Sequence, residues 1–124
     1  MTLTVRRIAA GALAATGLIH LILAPEYLGE QTYIGVLFIL GGLVCGALAT
    51  RLWQRDDPPA WILAALTAAG MGIGFILSRT VGLPGFKEAD WELSGIVTLL
   101  LEAGVLVAAA AALPQWAGSQ AAPR

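Results

Sequence analysis

The sequence predicts an all-α fold, an integral membrane four-helix bundle with both termini cytoplasmic. Composition and the spacing of charges carry this prediction. Of 124 residues, 58% are hydrophobic and only 12% are charged, with a mean hydropathy of +0.81. A soluble domain normally carries charge on about a quarter of its residues. The seven basic and eight acidic side chains also cluster at a few places. Between those clusters run apolar stretches of about 18 residues or more, long enough to span a bilayer. A soluble helical bundle with four such runs would have almost no polar face to wet.

Residues 1–114 read as one four-span domain, with spans at 8–24, 33–53, 60–78 and 91–113, followed by a short flexible tail at 115–124. Span one follows Arg6 and Arg7, a basic start that also suits a signal peptide. No convincing small-x-small cleavage site precedes Pro25 and Glu26, however, and three more spans follow. Pro25 and Gly29 are expected to break the chain after span one. The Asp57-Pro58-Pro59 run separates spans two and three. It puts proline in the first turn of span three, where a missing N–H does no harm. Gly82-Leu83-Pro84-Gly85 breaks the chain after span three, and Pro114 is expected to end span four.

Orientation follows from the basic residues. Arg6, Arg7, Arg51, Arg55 and Arg124 fall on one side, and Arg79 and Lys87 on the other. Five against two places both termini in the cytoplasm. Glu26, Glu30, Glu88, Asp90 and Glu92 all lie on the outer side. Trp53, Trp61, Trp91 and Trp116 fall near span boundaries, where indole rings anchor at the interface. A two-helix duplication is one reading of the Leu-Ile-Leu and Phe-Ile-Leu endings of spans one and three; nothing further rests on it.

In lipid, little hydrophobic force acts between spans, so close approach of small residues supplies much of the contact. Gly35, Gly42 and Gly46 share one side of span two, and Thr67, Gly70, Gly74 and Ser78 share one side of span three. These faces are expected to seat the inner helix contacts, although membrane helices are also rich in glycine for less specific reasons.

Span four carries a different face. Ser94, Thr98 and Glu102 repeat every four residues, forming a polar stripe that runs inward from the outer side. Thr16 and His20 share that spacing in span one, beside Gly17. A carboxyl group at the depth of Glu102 is costly unless it is protonated, paired or facing a polar cavity. It is therefore a structural hydrogen bonder, a proton- or cation-binding group, or a contact to a second chain. His20 and Glu102 sit about 10 Å apart along the membrane normal at ~1.5 Å rise per residue. At the outer end, Arg79 can fork to Glu26 or Glu92, and a neutral His20 can bridge Glu26, Glu92 or a backbone carbonyl. This outer cluster reads as an interhelical clamp, a ligand or ion entrance, or a solvated surface. The candidate ion or ligand site thus comprises Glu102, Thr98, Ser94, His20, Arg79, Glu92 and Glu26.

Several chemistries lack their residues. Bis-histidine haem needs a histidine from another subunit, since His20 is the only one, and no cofactor is predicted. Cys45 is the only cysteine, which excludes an intramolecular disulfide and a cysteine-only metal cage. No phosphate loop, dinucleotide fingerprint, Ser-His-acid arrangement or basic aromatic patch for nucleic acid is present. The sequence specifies neither a metal nor a catalytic group.

Residues 78–85, Ser-Arg-Thr-Val-Gly-Leu-Pro-Gly, with Trp91, Glu92 and Glu102 downstream and His20 and Pro25 upstream, carry a resemblance. In these residues the chain resembles an uncharacterised group of small four-span integral membrane proteins from high-GC bacteria. The resemblance implies a location in the bacterial inner membrane and no particular activity. The chain is also as short as the four-span small multidrug transporters. Their pattern places an essential glutamate in the first span, where this chain has His20, and that departure argues against membership.

Two functional readings follow, both with the lipid bilayer as surroundings. The first is a non-enzymatic protein that acts through assembly, as a homo-oligomer or beside a larger membrane partner. The second is a small proton- or cation-coupled transporter or channel using Glu102. They part on whether Ser94, Thr98 and Glu102 face a cavity or a packed partner.

Overall fold

The computed structural model describes residues 2–121, with side chains through residue 115. The chain forms α1 (Leu3–Glu30), α2 (Thr32–Gln54), α3 (Pro58–Arg79) and α4 (Leu93–Ala121). Each is long and apolar enough to cross a membrane. The expectations for Arg124 and for the Trp116 side chain lie outside what is described.

Two prolines behave differently from expectation. Pro25 lies inside α1, which continues to Glu30, and Pro114 lies inside α4, which continues to Ala121. A proline removes one backbone donor and crowds the preceding turn, but neighbouring groups in a membrane bundle can absorb that cost. What ends α1 is Gln31, a single extended residue whose N–H donates to the Tyr27 carbonyl at 2.8 Å. Its own carbonyl accepts from Ile34 and Gly35 and so starts α2. The Asp57-Pro58-Pro59 run acts as expected, with extended Asp57 as the cap and proline in the first turn of α3. Arg51 pairs with Asp57 at 2.7 Å across this connection.

A one-residue link forces α1 and α2 into an antiparallel hairpin. Leu28 meets Gly35, Leu21 and Gly17 meet Gly42, and Arg6 donates to the Leu52 carbonyl. That arginine satisfies a carbonyl of the last turn of α2, which has no partner within the helix. α1–α2 is the most extensive interface, followed by α3–α4 and α1–α4, with α2–α3 thinner than these three.

The two ends of the bundle pack differently. At the end holding the chain termini, small residues from all four helices close together: Ala10, Cys45, Ala64, Ala68, Val105 and Ala109 are nearly inaccessible. At the loop end, Tyr27, Ile34 and Phe86 form a second, aromatic cluster. Outward-facing positions remain apolar, with Ile8, Leu18, Leu66, Leu100 and Val107 all more than half exposed. Such a surface suits hydrocarbon and not water.

Trp61 corrects an expectation. It is 1% exposed, sits in the terminal core, and donates through Nε1 to Asp56 at 2.8 Å. The large apolar ring is worth more buried among alanines than at the interface. Trp53 and Trp91 are about half exposed, Trp53 lying under Arg7 at 4.6 Å.

Candidate functional site

Between the two packed ends lies a cavity of about 400 Å³, bounded by all four helices. Its wall is mostly aliphatic and aromatic, supplied by Leu23, Phe38, Met71 and Phe75 among others. Gly70 and Gly74 also line it, and a Cβ at either would meet nothing within 4 Å. They were expected to seat a helix contact. They instead border the open space of the cavity. Gly46 likewise meets nothing. Gly35 and Gly42 do make close approaches, as does Gly17, which stands against Gly42 and Cys45.

Leu37, Leu40 and Val44 of α2 and Leu66 of α3 line the cavity and are also exposed on the outside of the bundle. The cavity therefore opens sideways through the thin α2–α3 seam. Toward the chain termini it is closed by the alanine-rich core. Over the opposite end folds the α3–α4 connection. Gly82 and Gly85 adopt positive φ of 89° and 66°, allowing the Leu83–Phe86 turn that places both of those side chains in the cavity wall. Gln31 Nε2 donates to the Gly85 carbonyl at 3.1 Å, and the Tyr33 hydroxyl to the Pro84 carbonyl.

Ser94, Thr98 and Glu102 all line this cavity. Glu102 is 3% exposed and, among the described residues, has neither a hydrogen bond nor an ion pair. Gly72 makes room for it: Glu102 Oε1 lies 3.6 Å from where a Cβ on that glycine would stand. Thr98 donates its hydroxyl to the Gly95 carbonyl at 2.8 Å, a bond within its own turn.

His20 lines the cavity from α1. Its Nδ1 is 2.8 Å from the Thr16 carbonyl, and its ring lies 4.7 Å from that of Phe38. A backbone carbonyl, and not Glu26 or Glu92, is thus its partner. A carbonyl only accepts, so Nδ1 carries the proton, and Nε2 is left as the acceptor whenever the ring is neutral. The hydroxyl of Thr16 is fully buried and has no partner among the described residues. Thr16→Val removes that unmet group while keeping the shape and the carbonyl that holds His20. It is expected to stabilise the protein by about 1 kcal/mol, seen as a higher thermal midpoint in detergent. A lowered midpoint would mean the hydroxyl does have a partner.

Arg79 gathers the cluster at the loop end. Its guanidinium donates to Ser78 Oγ at 2.7 Å, the Asp90 carbonyl at 3.2 Å, the Tyr27 hydroxyl at 3.3 Å and Glu92 Oε1 at 3.4 Å. It also lies 4.2 Å over the Phe75 ring. These bonds join α1, α3 and the start of α4. Glu26 is not part of the group: it is exposed on α1 and does not line the cavity. The helical turn that presents Leu23 and Tyr27 inward carries Glu26 outward.

Tyr27 and Phe38 have a place in the site that sequence reasoning missed. Tyr27 stands at i+7 from His20 and so shares its face, a signal that was available. Phe38 and Phe86 had none, since their positions depend on the α1–α2 hairpin and on the loop fold. No group of three His, Cys, Asp or Glu side chains that could hold a metal occurs among the described residues. Comparison with family models, curated proteins and solved structures gives no match to this chain, so the reading of the site rests on its geometry.

Proposed function

We propose that the chain is a small multi-pass carrier of the bacterial inner membrane, with both termini in the cytoplasm. It binds a small molecule in the cavity within its bundle and uses Glu102 as the group that exchanges a proton or cation. One observation carries this reading: Ser94, Thr98 and Glu102 all face the cavity, and Glu102 is buried there without a partner. Intramembrane carboxyl groups are rare and costly, and they mark ion or substrate pathways. Action through assembly, as a homo-oligomer or beside a partner, would be favoured by a stripe pressed against a helix. A cavity in front of it favours the carrier. The closed floor of the cavity favours a carrier that rearranges over a channel, and the thin α2–α3 seam has less packing to give up than the three larger interfaces.

Glu102→Gln tests the coupling, because it keeps size and hydrogen bonding but cannot titrate. Wild-type proteoliposomes loaded with pyranine are expected to dissipate an imposed pH gradient faster than empty vesicles when the transported small molecule is supplied. Glu102→Gln vesicles should do so at the rate of empty ones. Equal rates in wild type and variant would remove Glu102 from the coupling.

A further inference from the structure

The donors and acceptors around the cavity define what it can hold. Its hydroxyl donors are mostly committed: Thr67 to the Leu63 carbonyl, Ser78 to the Phe75 carbonyl and Thr98 to the Gly95 carbonyl. The guanidinium of Arg79 is committed to Ser78, Tyr27, Asp90 and Glu92. What remains is the unpartnered carboxyl group of Glu102 and Nε2 of His20, whose Nδ1 is held by Thr16, together with the hydroxyls of Ser94 and Tyr27, which can still donate. The hydroxyls adapt to either kind of partner, but an ionised Glu102 and Nε2 of a neutral His20 accept only, and a carboxylate selects a positive donor.

The wall then separates an organic cation from an inorganic one. Hard metal cations want six or more oxygen ligands, and this wall is chiefly hydrocarbon with no cluster of ligating side chains among the described residues. A volume of about 400 Å³ is that of a small-molecule pocket. The lateral opening between Leu37, Leu40 and Leu66 faces the apolar surroundings of the bundle, and not the aqueous end closed by Leu83 and Phe86. We infer that the ligand is a membrane-partitioned organic amine, whose apolar body fills the cavity and whose ammonium group meets Glu102, entering through the α2–α3 seam. This rests on the reading of the cavity as the binding site.

Isothermal titration of the purified full-length protein in detergent tests it, with empty micelles as the reference. The probes are 2-(1-naphthyl)ethylamine, the neutral 2-(1-naphthyl)ethanol and rubidium chloride. The proteins are wild type, Glu102→Gln and Gly74→Leu, each checked for an unchanged thermal midpoint. Gly74→Leu fills the cavity from a position where a new side chain meets nothing within 4 Å. The amine is expected to bind wild type at least about tenfold more tightly than either the alcohol or Glu102→Gln allows, and Gly74→Leu should not bind it. Equal binding of amine and alcohol, both blocked by Gly74→Leu, would overturn the amine while leaving the cavity as the site. Rubidium binding that depends on Glu102 would overturn it in favour of an inorganic cation. Absence of amine binding, or binding that persists in Gly74→Leu, would overturn both the amine and the cavity as its site.

Discussion

Gly42→Leu is expected to disrupt the α1–α2 hairpin and cost the protein about 3 kcal/mol, the upper part of the usual range for overpacking. The reason is local and severe. A Cβ on Gly42 falls 2.5 Å from Leu21 Cγ, 2.7 Å from Leu21 Cδ2 and 2.9 Å from the Gly17 carbonyl oxygen. Leu21 can swing away, but the Gly17 carbonyl is backbone of the opposing helix and can yield only if the helices part. That separation acts on the most extensive interface of the bundle, and in lipid no hydrophobic force between helices offsets lost packing. Gly46→Leu is the control, since its Cβ meets nothing. Unfolding in mixed micelles should show a large loss for Gly42→Leu and little change for Gly46→Leu. Equal stability of the two variants would mean that the crossing has slack.

Arg79→Met is expected to loosen the loop end of the bundle by about 3 kcal/mol, the scale of hydrogen bonds to a charged group. The arginine side chain is 4% exposed and ties Tyr27, Ser78, Asp90 and Glu92 together. Methionine keeps the apolar stem but none of the donors, leaving the buried Tyr27 hydroxyl without this donor. The pairing with Glu92 adds little, because that carboxylate is 36% exposed and screened by solvent. Arg79→Lys should not restore the loss, since one ammonium cannot reproduce a planar fork that reaches three elements. Hydrogen exchange is the informative readout. The Glu88 amide, bonded to the Ser78 carbonyl at 2.9 Å, should exchange faster in both variants. Unchanged exchange would show that the turn around Gly82 and Gly85 holds the connection by itself.

The candidate site was partly legible beforehand. Ser94, Thr98 and Glu102 stand out because polar residues at a spacing of four are conspicuous in an apolar run, and the structure brings all three to one cavity with His20, Arg79 and Glu92. Glu26 was grouped with them because it lies near Arg79 in height. Height along a span is readable from residue number, but the direction a side chain takes around the helix is readable only against a known neighbour. The glycines show the same limit. Gly42 and Gly70 look alike in sequence, yet one seats a helix crossing and the other borders a void.

Length and hydropathy by themselves determined four helices and most of their ends, because in hydrocarbon each helix must satisfy its own backbone hydrogen bonds within its own span. Pro25 and Pro114 were exceptions, as the helices continue through both, and α1 also starts earlier than expected, at Leu3 and not at residue 8. Only the tertiary structure decided which helices pack tightly, which glycines are contacts, where Trp61 goes and what the polar stripe faces. Apart from the polar stripe of α4 and the His20 face of α1, these helices are apolar on every side, so little along the chain distinguishes an inward face from an outward one. That choice is made by the fit between helices, in which the Gly17–Gly42 crossing closes one seam and the spacing of α2 from α3 leaves the other open beside Glu102.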